Sequence, residues 1–167
     1  MAGPRRAESK DEGTLKGARI LVVEGRYYED IADALLAGAR RALDVAHVDY
    51  DLVTVPGALE IPQATALALD AAARRKAAYD GAVALGCVIR GETSHYDIVA
   101  GESARALMGL GIDRGVPVGN GILTVDKEDQ ARVRADPEGQ DKGGTAVRAA
   151  LALVRLKRSQ ARPRGRR

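Results

Sequence analysis

The stretch Gly86-Cys87-Val88-Ile89-Arg90-Gly91-Glu92-Thr93-Ser94-His95-Tyr96-Asp97 lies between two segments of opposite character. Before it, Ala82-Val83-Ala84-Leu85 is a short apolar run that reads as a buried strand. After it, Ile98-Val99 opens a long Ala- and Leu-rich segment that reads as a helix. One loop between strand and helix therefore holds a histidine, a guanidinium, two hydroxyls and a glycine. A helix start offers unpaired N–H groups and a positive dipole end, both suited to an anion. Histidine is the side chain best able to move protons near neutral pH. Anion binding and proton transfer thus meet in a single loop.

The same alternation extends in both directions. Strands are predicted over 18–23, 51–55, 79–85 and 116–123, from short apolar runs. Helices are predicted over 28–45, where Ile31, Leu35, Leu36, Ala39, Ala42 and Leu43 recur at helical spacing, and over 60–75 and 96–110. Gly109 and Gly111 are expected to end the third helix. Asp126 is expected to cap a short helix to Ala135, and a last helix covers 144–157. Strand–helix alternation implies right-handed crossovers and a parallel sheet covered on both faces. The segments rich in heteroatoms all follow the carboxyl ends of strands, the edge at which open α/β sheets bind ligands.

Composition narrows the class. A chain of 167 residues with 46% hydrophobic side chains suits one domain. Aromatics make up 3%, without Phe or Trp, so the core must be Ala, Val, Leu and Ile. The single cysteine, Cys87, excludes an intrachain disulfide and fits a reducing cytosol. No apolar run approaches the ~20 residues needed to span a membrane. Two isolated histidines and one cysteine form no metal-ligand cluster. Residues 1–14 read as a flexible arm, 15–157 as the folded domain, and 158–167 as a basic disordered tail. From Arg155 to Arg167 the chain has seven basic and no acidic residues. No stacking aromatics accompany them, which argues against a nucleic-acid partner.

The sequence GCVIRGETSHYDIV (86–99) resembles the signature loop of the lumazine synthase family, enzymes of riboflavin biosynthesis. Gly25-Arg26-Tyr27-Tyr28, Val55-Pro56-Gly57-Ala58-Leu59-Glu60-Ile61-Pro62 and Gly119-Asn120-Gly121-Ile122-Leu123-Thr124-Val125 match the family in the same order. So does the spacing from Gln130 through Arg134 to Lys142-Gly143. The resemblance implies a flavodoxin-like three-layer sandwich with a parallel sheet of order 2-1-3-4. It implies condensation of 5-amino-6-(D-ribitylamino)uracil with 3,4-dihydroxy-2-butanone 4-phosphate, without any cofactor. It also implies a cytoplasmic homo-oligomer (a pentamer, paired pentamers or a 60-subunit capsid) with active sites between adjacent subunits. An association with riboflavin synthase is compatible with it.

Residue roles carry over position by position. His95 is the proton-transfer residue. Gly91, Glu92 and Thr93 offer helix-entrance N–H groups and a hydroxyl to the phosphate, although Thr93 or Ser94 could equally cap the helix. By composition Arg134 and Lys142 are solvated charges; the resemblance makes them phosphate ligands supplied, like Asn120, by the neighbouring subunit. Tyr27 matches the position that stacks on the pyrimidine. Ala58, Leu59 and Glu60 hold the ribityl hydroxyls, and Cys87, Val88 and Ile89 present strand-end groups to the uracil edge. Arg26 and Arg90 read as scaffold or ribityl-proximal, and His47 as surface structure. Asn120 and Leu59 stand where many members have Phe, Asp141 replaces a frequent Asn, and Ser94 a frequent Thr.

Two other classes remain open on sequence: a flavin- or lumazine-binding module without synthesis, and a primarily structural shell. A flavodoxin-type carrier is disfavoured. Gly25-Arg26-Tyr27-Tyr28-Glu29-Asp30 puts acids where a hydroxyl-rich phosphate loop would be.

Overall fold

The computed structural model describes residues 15–161. The expected N-terminal arm (1–14) and the last six residues of the basic tail lie outside them. The elements are β1 (Arg19–Gly25), α1 (Glu29–Val45), β2 (Asp49–Val55), α2 (Glu60–Arg74), β3 (Gly81–Ile89), α3 (His95–Arg114), β4 (Val118–Val125), α4 (Glu128–Ala135) and α5 (Lys142–Ala161). All strand pairings are parallel, in the order β2-β1-β3-β4. The α/β fold and strand order are those expected.

Alternation along the strands divides the interior in two. Ile20, Val22, Val83, Leu85, Cys87, Leu123 and Val125 face a core closed by α1, α4 and α5. Leu21, Val23, Ala82 and Ala84 face a second core closed by α2 and α3. β3 is buried over eight consecutive residues because helices cover both its faces. The edge strand β4 instead alternates, with Asn120 and Thr124 exposed.

Several boundaries differ from the sequence reading, for identifiable reasons. β3 continues to Ile89 because β4 pairs with it as far as Ile89↔Val125, so the motif's first four residues are strand and the loop begins at Arg90. α3 runs through Gly109 and Gly111 and ends at Gly115, which has φ +60°. Gly111 serves packing instead of termination: a Cβ there would lie 3.2 Å from the Val116 carbonyl. Asp126 does not cap α4. The Gln130 side chain accepts from the N–H groups of Asp126 (2.9 Å) and Lys127 (3.3 Å). α5 begins at Lys142, where the Asp141 carboxylate accepts from Gly144 N–H at 3.0 Å. It ends at Ala161, so residues 158–161, expected in the tail, are helical.

Candidate active site

At the carboxyl edge of the sheet, the turns after β1, β2 and β3 surround a cavity of about 500 Å³. That size suits a small-molecule site. Its floor is the strand end Cys87–Ile89. One wall is the turn Pro56-Gly57-Ala58-Leu59-Glu60 leading into α2. The rim carries Tyr27 and Tyr28 on one side and Gly91, Thr93, His95, Tyr96 and Val99 on the other. The turns come together through glycine. A Cβ on Gly25 would lie 2.9 Å from the Gly57 backbone, so only glycine lets the β1 and β2 ends approach this closely.

Tyr27 is 73% exposed and projects into solvent beside the cavity, with its ring edge-on to Tyr28 at 4.9 Å. Such a ring has an unoccupied face for a flat heterocycle. The turn behind it is anchored. Arg26 Nη1 donates to the buried Glu24 carboxylate (3.2 Å), Nη2 to Asp33 (2.5 Å), and Thr54 Oγ1 to Glu24 at 2.9 Å. Glu24 is 2% exposed. Sequence reasoning stopped β1 at Val23 and missed it. The signal was an acid following an apolar strand.

The segment 91–94 carries the unpaired backbone donors of this rim. Among the described residues, the backbone N–H groups of Gly91, Glu92, Thr93 and Ser94 donate to no protein acceptor. Ser94 makes no side-chain cap. Thr93 Oγ1 accepts from His95 N–H at a long 3.4 Å. These unpaired donors sit at the start of a 20-residue helix, the positive end of its dipole. The His95 imidazole is exposed beside them and has no hydrogen-bond partner among the described residues. The Asp97 carboxylate, two residues on, faces Arg90 instead.

Cys87 is buried, and its thiol is pushed up to about 12, first by burial and then by the Asp30 carboxylate. That is the opposite of an activated nucleophile.

The expected residues thus separate into two sets. Tyr27, Ala58, Leu59, Glu60, Cys87, Val88, Ile89, Gly91, Thr93 and His95 line one cavity, and Glu92 sits exposed in the same loop. Asn120, Arg134 and Lys142 do not line it. Asn120 borders a separate apolar groove with Met108, Ile112 and Leu153. Arg134 lies on α4, its Nη1 donating to the Gln130 carbonyl at 3.0 Å, and Lys142 begins α5. Tyr28, Tyr96 and Val99 line the cavity without having been singled out as site residues. Their adjacency to Tyr27 and His95 was the available signal.

Residues 17–158 match the family model for 6,7-dimethyl-8-ribityllumazine synthase. The chain is 55% identical to the 6,7-dimethyl-8-ribityllumazine synthase of Afipia carboxidovorans, over 98% of this chain and 100% of that protein. It is 59% identical to the protein of the same name from Methylobacterium radiotolerans, over 98% and 100%. It is 57% identical to that of Nitrobacter hamburgensis, over 97% and 99%.

Proposed function

The chain belongs to the 6,7-dimethyl-8-ribityllumazine synthase family, and from that premise we propose how its cavity condenses 5-amino-6-(D-ribitylamino)uracil with 3,4-dihydroxy-2-butanone 4-phosphate. The products are 6,7-dimethyl-8-ribityllumazine, phosphate and water. The observation that carries the assignment of roles is that, among the described residues, the His95 imidazole has no partner and stands beside four N–H donors that are also unpaired, on the rim of one cavity.

The pyrimidine stacks on the free face of Tyr27, with its uracil edge against the backbone of Cys87, Val88 and Ile89. The ribityl hydroxyls meet the first turn of α2 at Ala58, Leu59 and Glu60. The phosphate rests on the N–H groups of residues 91–94 and the Thr93 hydroxyl. With both substrates held there, the 5-amino group attacks the ketone and water leaves to give an imine. Phosphate is then eliminated, and the ribitylamino nitrogen closes the ring with loss of a second water. Placing both reactants in one cleft supplies the largest share of the rate. His95, with no competing partner among the described residues, takes and returns protons in the imine and elimination steps.

The neighbouring subunit completes the site. Arg134 and Lys142 would join the phosphate from there, and Asn120 the pyrimidine side. Two features support this reading. The three residues lie outside the cavity of their own chain. The exposed apolar side chains Met108, Ile112, Leu153 and Leu156 line a groove of about 460 Å³ that a second copy would cover. A pentamer, alone or as a unit of a larger shell, repeats this contact around a ring. The buried lone thiol of Cys87 suits a reducing, cytoplasmic setting.

The test is the appearance of lumazine absorbance and fluorescence from the two substrates. Wild-type protein forms product, and His95→Ala forms it about 10²–10⁴-fold more slowly while binding a pyrimidine analogue as before. Undiminished turnover by His95→Ala contradicts the role given to the imidazole.

A further inference from the structure

Arg90 occupies the junction between the sheet and the loop that carries His95. Its backbone N–H donates to the Val125 carbonyl at 2.9 Å, closing the β3–β4 ladder. Its side chain then reaches across the loop. The guanidinium carbon lies 4.0 Å from the centre of the Tyr96 ring. Nη1 stands 3.5 Å from Asp97 Oδ1, and Nε donates to Asp126 Oδ1 at 3.0 Å. Tyr96 and Asp97 are the two residues that follow His95 in the first turn of α3.

The start of α3 lacks the usual means of fixing a helix N-terminus. Ser94 has helical dihedrals (φ −67°, ψ 0°) and makes no cap bond, and the Thr93 contact is long. The imidazole has no hydrogen bond to any described residue to set its position. Its placement therefore depends on the backbone of the first turn, and that turn is tied to the sheet through Arg90. A fork of donors plus a planar face makes these contacts together, which an ammonium group cannot do. Two carboxylates already engage the guanidinium, which disfavours a primary role as a phosphate ligand.

We propose that Arg90 is a positioning residue for His95, a clamp from β3 across the loop 91–94 onto Tyr96, Asp97 and Asp126. The proposal rests on the reading of His95 as the proton-transfer group, and a double-mutant cycle keeps the two apart. Arg90→Lys retains charge and loses the fork and the planar face. Its kcat is expected to fall about tenfold, the scale of a small misplacement of a reacting group. Binding of a pyrimidine analogue and KM for both substrates should stay within about threefold of wild type. In a His95→Ala background the same substitution should change kcat by less than about twofold. Asp126→Asn, an exposed and milder change, should lower kcat less and show the same dependence on His95. Thermal melts accompany each variant, so that loss of fold is not read as loss of positioning. Equal fold-losses with and without His95 overturn the proposal, because Arg90 then acts by contacts of its own. Unchanged kcat in Arg90→Lys overturns it directly. Wild-type turnover by His95→Ala alone removes the reading beneath it, and the clamp with it.

Discussion

Cys87 lines the cavity, yet burial and the Asp30 carboxylate hold its proton, with the thiol pushed up to about 12. At pH 8 its thiolate fraction is then on the order of 10⁻⁴. Alkylation of native protein by iodoacetamide, followed by mass spectrometry, is expected to leave Cys87 unmodified while activity is retained. Rapid labelling with loss of activity contradicts this placement. The sign of the pH dependence follows. The folded chain binds the Cys87 proton more tightly than the unfolded chain, so this group's stabilisation is complete below its unfolded pKa of about 8.5. It is lost as pH rises toward 12. Tyr28 and Tyr79, both raised chiefly by burial, act in the same direction. Denaturant melts at pH 8 and pH 10 should show a smaller alkaline decline for Cys87→Ala than for wild type, and equal declines contradict the assignment. Arg134 belongs to the same scale. Arg134→Ala should raise KM for the phosphate substrate about tenfold or more, the scale of a lost charge-assisted contact. An effect confined to the uracil substrate contradicts its role. Sequence alone could single out His95, because loop, hydroxyls and helix start are contiguous. It could not promote Arg134 and Lys142 over other surface charges, because the role proposed for them lies across a subunit boundary that local sequence does not encode. Nor could it find Glu24, whose burial depends on where β1 ends.

Glycine and one aspartate set how the elements meet. Gly143, in the first turn of α5, lies against the Leu35 carbonyl of α1, and a Cβ there would run into that backbone. Gly143→Ala should therefore destabilise the protein by about 1–3 kcal/mol. Chemical denaturation measures this, and wild-type stability would show that the two helices can separate freely. Asp141 precedes α5 with φ +46°, caps Gly144 N–H, and pairs with Arg148 at 3.0 Å. The aspartate supplies this cap and places a negative charge at a helix start. Asp141→Ala should cost about 0.5–2 kcal/mol and Asp141→Asn far less, since Asn also tolerates positive φ. Equal losses contradict the capping account. At this scale the element order was fully legible from strand–helix alternation. The ends were not. β3 lengthens because β4 pairs with it, and α3 passes two glycines because one of them is needed where the helix meets β4. Both are tertiary causes invisible to local patterns.

The molecule as a whole presents an apolar surface that the described residues leave uncovered. Only Ser103 and Leu107 of the 20-residue α3 are buried. Met108 is 67% and Ile112 71% exposed, beside Leu153 and Leu156 of α5. Contiguous apolar exposure of this kind marks an interaction surface. The proposed partner is a second copy, because the residues missing from the cavity lie on β4, α4 and α5. Subunit complementation addresses that arrangement directly. At a concentration of the phosphate substrate far below KM, His95→Ala chains alone are expected to be nearly inactive and Arg134→Ala chains alone about tenfold or more below wild type. Co-assembled in equal amounts, they should recover activity at about a quarter of the wild-type sites, where an intact His95 faces an intact Arg134 across a ring interface. Assemblies verified as mixed that recover no activity would place His95 and Arg134 within one chain's site and contradict the account.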